Sequence, residues 1–354
     1  MSKPKSSARA ARAKAVRESQ TSSPPSSSAL PRFAGLASFL RLPMHEQQAP
    51  PVDVLLCGAP FDGGTSFRPG ARFGPRAVRE ASALARPYSQ ALGVDIFKEL
   101  TLADGGDVGS TPHDMGGALE AIATRAAAVT RSGALCGFVG GDQTITLGAL
   151  RGIYRAKHKA IGLLHIASHA NTSPPAEGRD LHHGSVIRHA VEEGLVRPDA
   201  AMQLGIRGPY SSADDLAFTL ARGFEVVSTD DIRWDLHAAV SQVRRFVEKG
   251  ALYVSIDVSV LDPAYAPGTG FPVPGGLSTW ELQQLLRALV GAEICGFDLV
   301  EIAPAYDPSG ITGIVGVTLL QELLAAIADT RRSAHPAPST RDRSTGRRGK
   351  RISP

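Results

Sequence analysis

The chain alternates between short, almost unbroken apolar runs and longer stretches in which apolar residues recur every three or four positions. Runs of the first kind lie at 52–57 (Val-Asp-Val-Leu-Leu-Cys), 135–139, 161–166, 202–206, 224–227, 252–258 and 295–300. Apolar runs of this length, bounded by glycine, proline or polar residues, predict strands buried on both faces. The second kind falls between most of them, at 117–131, 145–157, 184–194, 212–222, 236–249, 279–290 and 316–329, and predicts helices. Strand then helix, repeated, predicts an α/β fold: a single three-layer domain whose parallel β-sheet is flanked by helices. No internal repeat and no Pro/Ser-rich linker interrupts 35–330, so this stretch reads as one domain. Such sheets bind ligands beyond the carboxyl ends of their strands, which directs attention to the loops that follow them.

The ends of the chain break the pattern. Residues 1–34 and 331–354 are rich in Ser, Pro, Ala and Arg and poor in large apolar residues. They bury too little surface to offset the entropy of ordering, so both are expected to be disordered tails. The net charge of +4 conceals +5 over residues 1–30 and +7 over 331–354, which leaves −8 for the rest. The sequence pI of 9.0 therefore describes the tails and not the body. Solvated extensions, rather than nucleic-acid-binding arms, are the reading of these ends. The first thirty residues are also Arg- and Ser-rich and acid-poor, as organelle transit peptides are, but their apolar face would consist of Ala and Val only. No run of 18 apolar residues and no secretory-type leader pattern is present, so no membrane span is expected. Cys57, Cys136 and Cys295 stand far apart in apolar surroundings. They read as buried thiols in a reducing compartment, hence a cytoplasmic location.

The loops carry the candidate chemistry. The first strand runs into Gly58-Ala-Pro-Phe-Asp62-Gly-Gly-Thr-Ser-Phe-Arg68-Pro-Gly-Ala-Arg-Phe-Gly-Pro75, where glycines and prolines specify a well-ordered loop and Pro75 suits the first turn of a helix. The next loops are Gly140-Gly141-Asp142-Gln143-Thr144 and Ala167-Ser168-His169-Ala170-Asn171. They are followed by Ser255-Ile-Asp257-Val-Ser259 with its continuation to Gly276, and by Gly296-Phe-Asp298-Leu-Val-Glu301 with its continuation to Thr312. Taken alone, His169 reads as a core histidine and Asp257 as a loop cap. Asp262-Pro263 reads as a turn former.

The loop 58–80, the Asp104/Asp107 turn, Gln203–Gly208, Asp257–Gly276 and Gly296–Thr312 together resemble the ureohydrolases, in their agmatinase and guanidino-acid-hydrolase branch. The likeness runs from about residue 50 to 328. It implies one α/β domain assembled into trimers or hexamers, in which active members hydrolyse a guanidinium group to urea and an amine with two Mn²⁺ ions. It also implies six metal ligands: a His in GGDH, two Asp and a His in DAHxD, and two Asp in SxDxD. At those places this chain has Gln143, Ala167, His169, Asn171, Asp257 and Ser259. His169 and Asp257 alone keep a ligand type. The resemblance further implies a proton-shuttling position at His183 and a carboxylate beneath the substrate guanidinium at Glu301.

Mn²⁺ prefers hard anionic oxygen ligands with some imidazole. One carboxylate against two dications leaves positive charge unpaired in a poorly solvated pocket, and each such charge costs several kcal/mol. No metal cofactor is therefore expected at normal affinity, although manganese serves the active relatives. The expected role is a catalytically silent binding or regulatory subunit, which works either by joining an active paralogue in a mixed oligomer or by holding a guanidino compound through Glu301 and Asp257. It would stand as a homo-oligomer or as a hetero-oligomer with an active paralogue. The alternative is an amidinohydrolase of linear guanidino compounds with a rebuilt or single-metal site around His169, His183 and Asp257, with His165, His182 and His189 nearby in sequence.

Overall fold

A computed structural model describes residues 31–45, 50–109, 111–175, 178–208, 210 and 216–334. Eight strands form one sheet: β1 (Val54–Gly58), β2 (Leu102–Asp107), β3 (Leu135–Val139), β4 (Ile161–Ile166), β5 (Val196–Ile206), β6 (Glu225–Ser228), β7 (Leu252–Asp257) and β8 (Ile294–Val300). Their order is β2-β1-β3-β8-β7-β4-β5-β6, and every neighbouring pair is parallel. The flanking layers come mainly from helices α1 (Gly74–Ala81), α2 (Met115–Arg131), α3 (Thr144–Lys157), α4 (Val186–Glu192), α5 (Leu236–Phe246), α6 (Thr279–Arg287) and α7 (Ile311–Ala334).

Side chains alternate across a strand, so each central strand feeds two cores. Leu56, Leu164, Ile166, Val254 and Ile256 pack with residues of α1, α5, α6 and α7 on one face. Leu55, Cys57, Leu163 and Tyr253 pack with α2, α3 and α4 on the other. Strands β1, β4, β7 and β8 are buried along their whole length, as their unbroken apolar runs require. Each such Leu, Ile or Val contributes about 1.5–3 kcal/mol on burial. Helix starts follow local chemistry: α6 opens with a capping box in which the Ser278 amide donates to Glu281 Oε2 at 2.7 Å and the Glu281 amide donates to Ser278 Oγ at 3.2 Å.

Three features depart from the sequence reading. Edge strand β2, Leu-Ala-Asp-Gly-Gly-Asp, has no apolar run and was not expected; pairing with β1 holds it, and Asp104 takes a two-pronged ion pair from Arg79 at 2.8 and 3.0 Å. Strand β5 begins at Val196 and not 202. Helix α7 runs four residues past the boundary set at 330, where Arg331 pairs with Asp53 at 2.5 Å and Arg332 Nη1 donates to the Gly93 carbonyl at 2.6 Å. At the other boundary, Arg32 Nη1 donates to the Ala83 carbonyl at 2.7 Å. The rest of both tails, and much of the helix expected at 212–222, lies outside the described residues; that helix is seen as Ala217–Ala221.

Among the described residues, α7 is one helix long and apolar enough to cross a membrane. Here it is a core helix, with Leu319, Leu320, Leu323 and Leu324 fully buried. Cys57, Cys136 and Cys295 are free, buried thiols.

Candidate functional site

The carboxyl ends of β4, β7 and β8 converge on a cleft of about 280 Å³. His169, Asn171, His183, Asp257, Ser259 and Glu301 line it. The structure thus brings together six of the eight positions singled out from the sequence. Gln143 and Ala167, at 1% and 0% exposure, are buried and do not reach its surface.

Glu301 follows β8 with φ of 66°, a left-handed conformation uncommon for a residue with a side chain. The Gly141 carbonyl fixes it by accepting the Glu301 amide at 2.8 Å. One carboxylate oxygen, Oε1, accepts the Gln143 amide at 2.9 Å and lies 3.1 Å from His183 Nδ1. The other, Oε2, is buried and has no hydrogen-bond partner. His183 Nε2 lies 2.9 Å from Ser66 Oγ. Burial opposes charge on His183, yet the Glu301 hydrogen bond and the charges of Glu301, Asp142 and Asp257 outweigh it and push its pKa up to about 9. Burial, reinforced by the charge of Glu301, raises Asp257 to about 7 and Asp142 to about 6.

Behind this wall Gln143 is anchored into the sheet. Its Nε2 donates to Thr146 Oγ1 and Ser255 Oγ, both at 2.8 Å. Those hydroxyls in turn donate to Asp298 at 2.7 and 2.6 Å, joined by the Tyr253 hydroxyl at 2.9 Å. Burial raises Asp298 to about 6 in spite of these donors. On the opposite side Ser168 Oγ sits 2.7 Å from His169 Nδ1 and 2.8 Å from Ser259 Oγ, while Asp257 Oδ1 accepts the Ser259 amide at 2.7 Å. Burial, with help from the His183 charge, takes His169 down to about 4, so it is neutral at pH 7.

These residues do not fit a pair of manganese ions. Ala167 has no donor atom, Gln143 and Asn171 offer only neutral amide oxygens (the Gln143 Oε1 is buried without a partner), and His169 Nδ1 and the Ser259 hydroxyl are both engaged by Ser168. Asp257 is the single carboxylate among the six positions. His169, His183 and Asp257, the centre of the rebuilt site considered from the sequence, all line the cleft. His182 lines it too, with Nδ1 accepting the Gly184 amide at 3.2 Å and Nε2 3.3 Å from the Pro174 carbonyl. His165 Nδ1 faces Gln203 Nε2 at 3.2 Å, and His189 Nε2 faces the Asp180 carbonyl at 3.0 Å. Among the described residues no three His, Cys, Asp or Glu side chains form a ligand group.

Several cleft residues escaped the sequence reading. Phe271 caps the opening, edge-on to His169 at 5.0 Å and near Phe67 at 5.9 Å. Arg68 supports that cap by donating to the Thr269 carbonyl at 2.9 Å while stacking on Tyr306 at 4.3 Å. Arg207 ties the floor together: Nη1 donates to the Val260 carbonyl at 2.9 Å, and Nη2 donates to Ser259 and Val273 carbonyls at 2.6 and 2.7 Å. Phe67 and Phe271 lie in loops that the sequence singles out, 58–80 and 257–276, but no spacing rule says which aromatic in them turns inward.

Comparison with known proteins gives a consistent picture. A family model described as "Arginase family" matches residues 52–326. The chain is 38% identical over 304 residues to proclavaminate amidinohydrolase of Streptomyces clavuligerus, covering 86% of this chain and 96% of that one. It is 39% identical over 303 residues to guanidinobutyrase of Pseudomonas aeruginosa, covering 84% and 94%. Among solved structures, proclavaminate amidinohydrolase superposes with a TM-score of 0.80 at 37% identity, covering 85% of this chain and all of the other. A hypothetical agmatinase from Burkholderia thailandensis superposes with a TM-score of 0.76 at 35% identity, covering 86% and 93%.

Proposed function

The chain belongs to the arginase family, and from that premise we propose that its cleft takes a linear guanidino compound, held through the guanidinium by Glu301 and Asp257 without a pair of manganese ions. Its relatives are guanidino-compound amidinohydrolases, which supports the ligand class. The observation that carries the reading is Glu301, a residue of the cleft lining whose buried Oε2 has no hydrogen-bond partner. A carboxylate oxygen left in this state costs more than 1–3 kcal/mol, roughly, until a donor reaches it. A guanidinium carries only donors, in a planar fork suited to carboxylates. Asp257 offers a second carboxyl group in the same cleft. In this reading the protein binds without turnover, as a homo-oligomer or beside an active paralogue, and the ligand's charge stands where the metals would.

The test is calorimetric titration of chelator-treated protein with agmatine and 4-guanidinobutyrate, on wild type and Glu301→Gln. A charge-assisted hydrogen bond is worth roughly 1.5–3 kcal/mol, so the substitution should weaken binding about ten- to a hundred-fold. Failure of wild type to bind either compound at millimolar concentration removes the proposal. A second reading, hydrolysis of the bound compound, is favoured by the hydrolase names of the relatives. Urea released above background by the protein as purified or after Mn²⁺ is restored would put that reading in place of silent binding.

A further inference from the structure

Two of the replaced ligand positions, Gln143 and Ser259, are tied into the protein by hydroxyl groups, and Ser168 makes one of these ties. It is fully buried at the end of β4, and its Oγ bridges His169 Nδ1 and Ser259 Oγ. Ser259 follows β7, the sheet neighbour of β4, so the bridge joins two adjacent strand ends. The same two loops are joined a second time by Arg207, whose amide donates to the Ser168 carbonyl at 3.0 Å and whose Nη2 donates to the Ser259 carbonyl at 2.6 Å. The motif that this segment resembles, DAHxD, has alanine where this chain has Ser168. A polar side chain has thus been added one residue from the place where Ala167 removes a carboxylate, and it meets the hydroxyl of Ser259, where another carboxylate is missing.

We infer that Ser168 is the positioning residue of a metal-independent cleft floor, whose hydroxyl holds His169 and Ser259 in place so that a ligand guanidinium meets Ser259, Asp257 and Glu301 directly. The inference rests on the guanidino reading above and adds how the floor keeps its shape. Arg207 already ties the backbone of these two strand ends, which leaves the facing side chains of His169 and Ser259 to be linked. The Ser168 bridge supplies that link from the protein, and it engages Nδ1 of His169 and the hydroxyl of Ser259. His169, once held, stands edge-on to Phe271 at 5.0 Å, so the same tie aims the aromatic cap of the cleft.

The test compares wild type with Ser168→Ala and with Ser82→Ala as a control. Ser82 is also fully buried and gives up one hydrogen bond, from its Oγ to the Val78 carbonyl at 2.7 Å, outside the cleft. Both variants lose stability, but a merely structural role predicts no difference in binding between them. Expected is binding of 4-guanidinobutyrate or agmatine about tenfold weaker in Ser168→Ala and unchanged in Ser82→Ala. Mn²⁺ added to chelator-treated wild type is expected to leave its melting temperature unchanged. Should Ser168→Ala fail to fold, Ser168→Cys, with similar volume and a weaker hydrogen bond, is read in the same way. Wild-type binding retained in the Ser168 variant, or stoichiometric manganese that stabilises wild type, overturns the inference while leaving guanidino binding intact. Absence of guanidino binding to wild type brings down the functional reading and this one with it.

Discussion

Restoring the four altered ligands should convert the protein into a manganese binder. The variant is Gln143→His, Ala167→Asp, Asn171→Asp and Ser259→Asp, which brings the six positions to four carboxylates and two imidazoles. The starting residues are all 8% exposed or less, so the new charges enter a poorly solvated site. Asp257 shows the scale: its carboxyl is raised from 3.8 to about 7, which corresponds to about 4 kcal/mol against ionising there. Three more carboxylates beside it should lower the stability of the metal-free variant by several kcal/mol, on the order of one to a few each. Two manganese ions then neutralise the four carboxylates. At a hundred times its Kd each ion returns about 2.7 kcal/mol, so about 5 kcal/mol in all. For a domain of this size that is a rise in Tm of roughly 8 °C. Differential scanning fluorimetry with and without Mn²⁺ after chelation, combined with metal analysis, reads the effect. Wild type should show no shift. Should wild type respond to manganese as the variant does, the account of the donor set is wrong. Should the folded variant bind none, the six positions have been misassigned.

Three further outcomes follow from the geometry. The folded state holds the Asp298 proton more tightly than the unfolded chain, with a pKa raised from 3.8 to about 6. Its contribution is therefore fully present below pH 3.8 and lost as pH rises through 6, by about 3 kcal/mol. Urea denaturation of wild type and Asp298→Asn across this window should differ by that slope, and parallel curves would refute it. Gly141 has φ of 83°, and a Cβ there would lie 2.5 Å from the Ala59 carbonyl oxygen. Gly141→Ala should therefore cost about 2–4 kcal/mol and disturb Glu301, which donates to the Gly141 carbonyl; an unchanged Tm would count against this strain. Arg207→Lys, which cannot reproduce the fork that holds Ser259, Val260 and Val273, should lower stability by roughly 2–3 kcal/mol and weaken guanidino binding, both read by melting and titration.

The chain's periodicity was enough to place seven of the eight strands, because strands buried on both faces must be apolar throughout and helices must show a 3.6-residue stripe. Strand β2 escaped because an edge strand with Gly105, Gly106 and two aspartates is stabilised by backbone pairing and the Arg79 ion pair, neither of which leaves a local apolar signature. The loop motifs named the positions of Gln143, Ala167, His169, Asn171, Asp257, Ser259, His183 and Glu301, and the family followed from them. Silence of the protein as a catalyst stays a proposal, since the relatives are themselves hydrolases.

What remained for the tertiary structure was how the altered positions are satisfied. That Gln143 turns into the Asp298 network, that Ser168 joins His169 to Ser259, and that Glu301 keeps one oxygen bare are relations between residues up to 158 positions apart. Residue type fixes what a side chain can donate or accept, and so the sequence alone shows one carboxylate and one imidazole at the six positions that the resemblance names. Which groups meet is set by the register of parallel strands joined through long crossovers, and that register exists only once both faces of the sheet are packed.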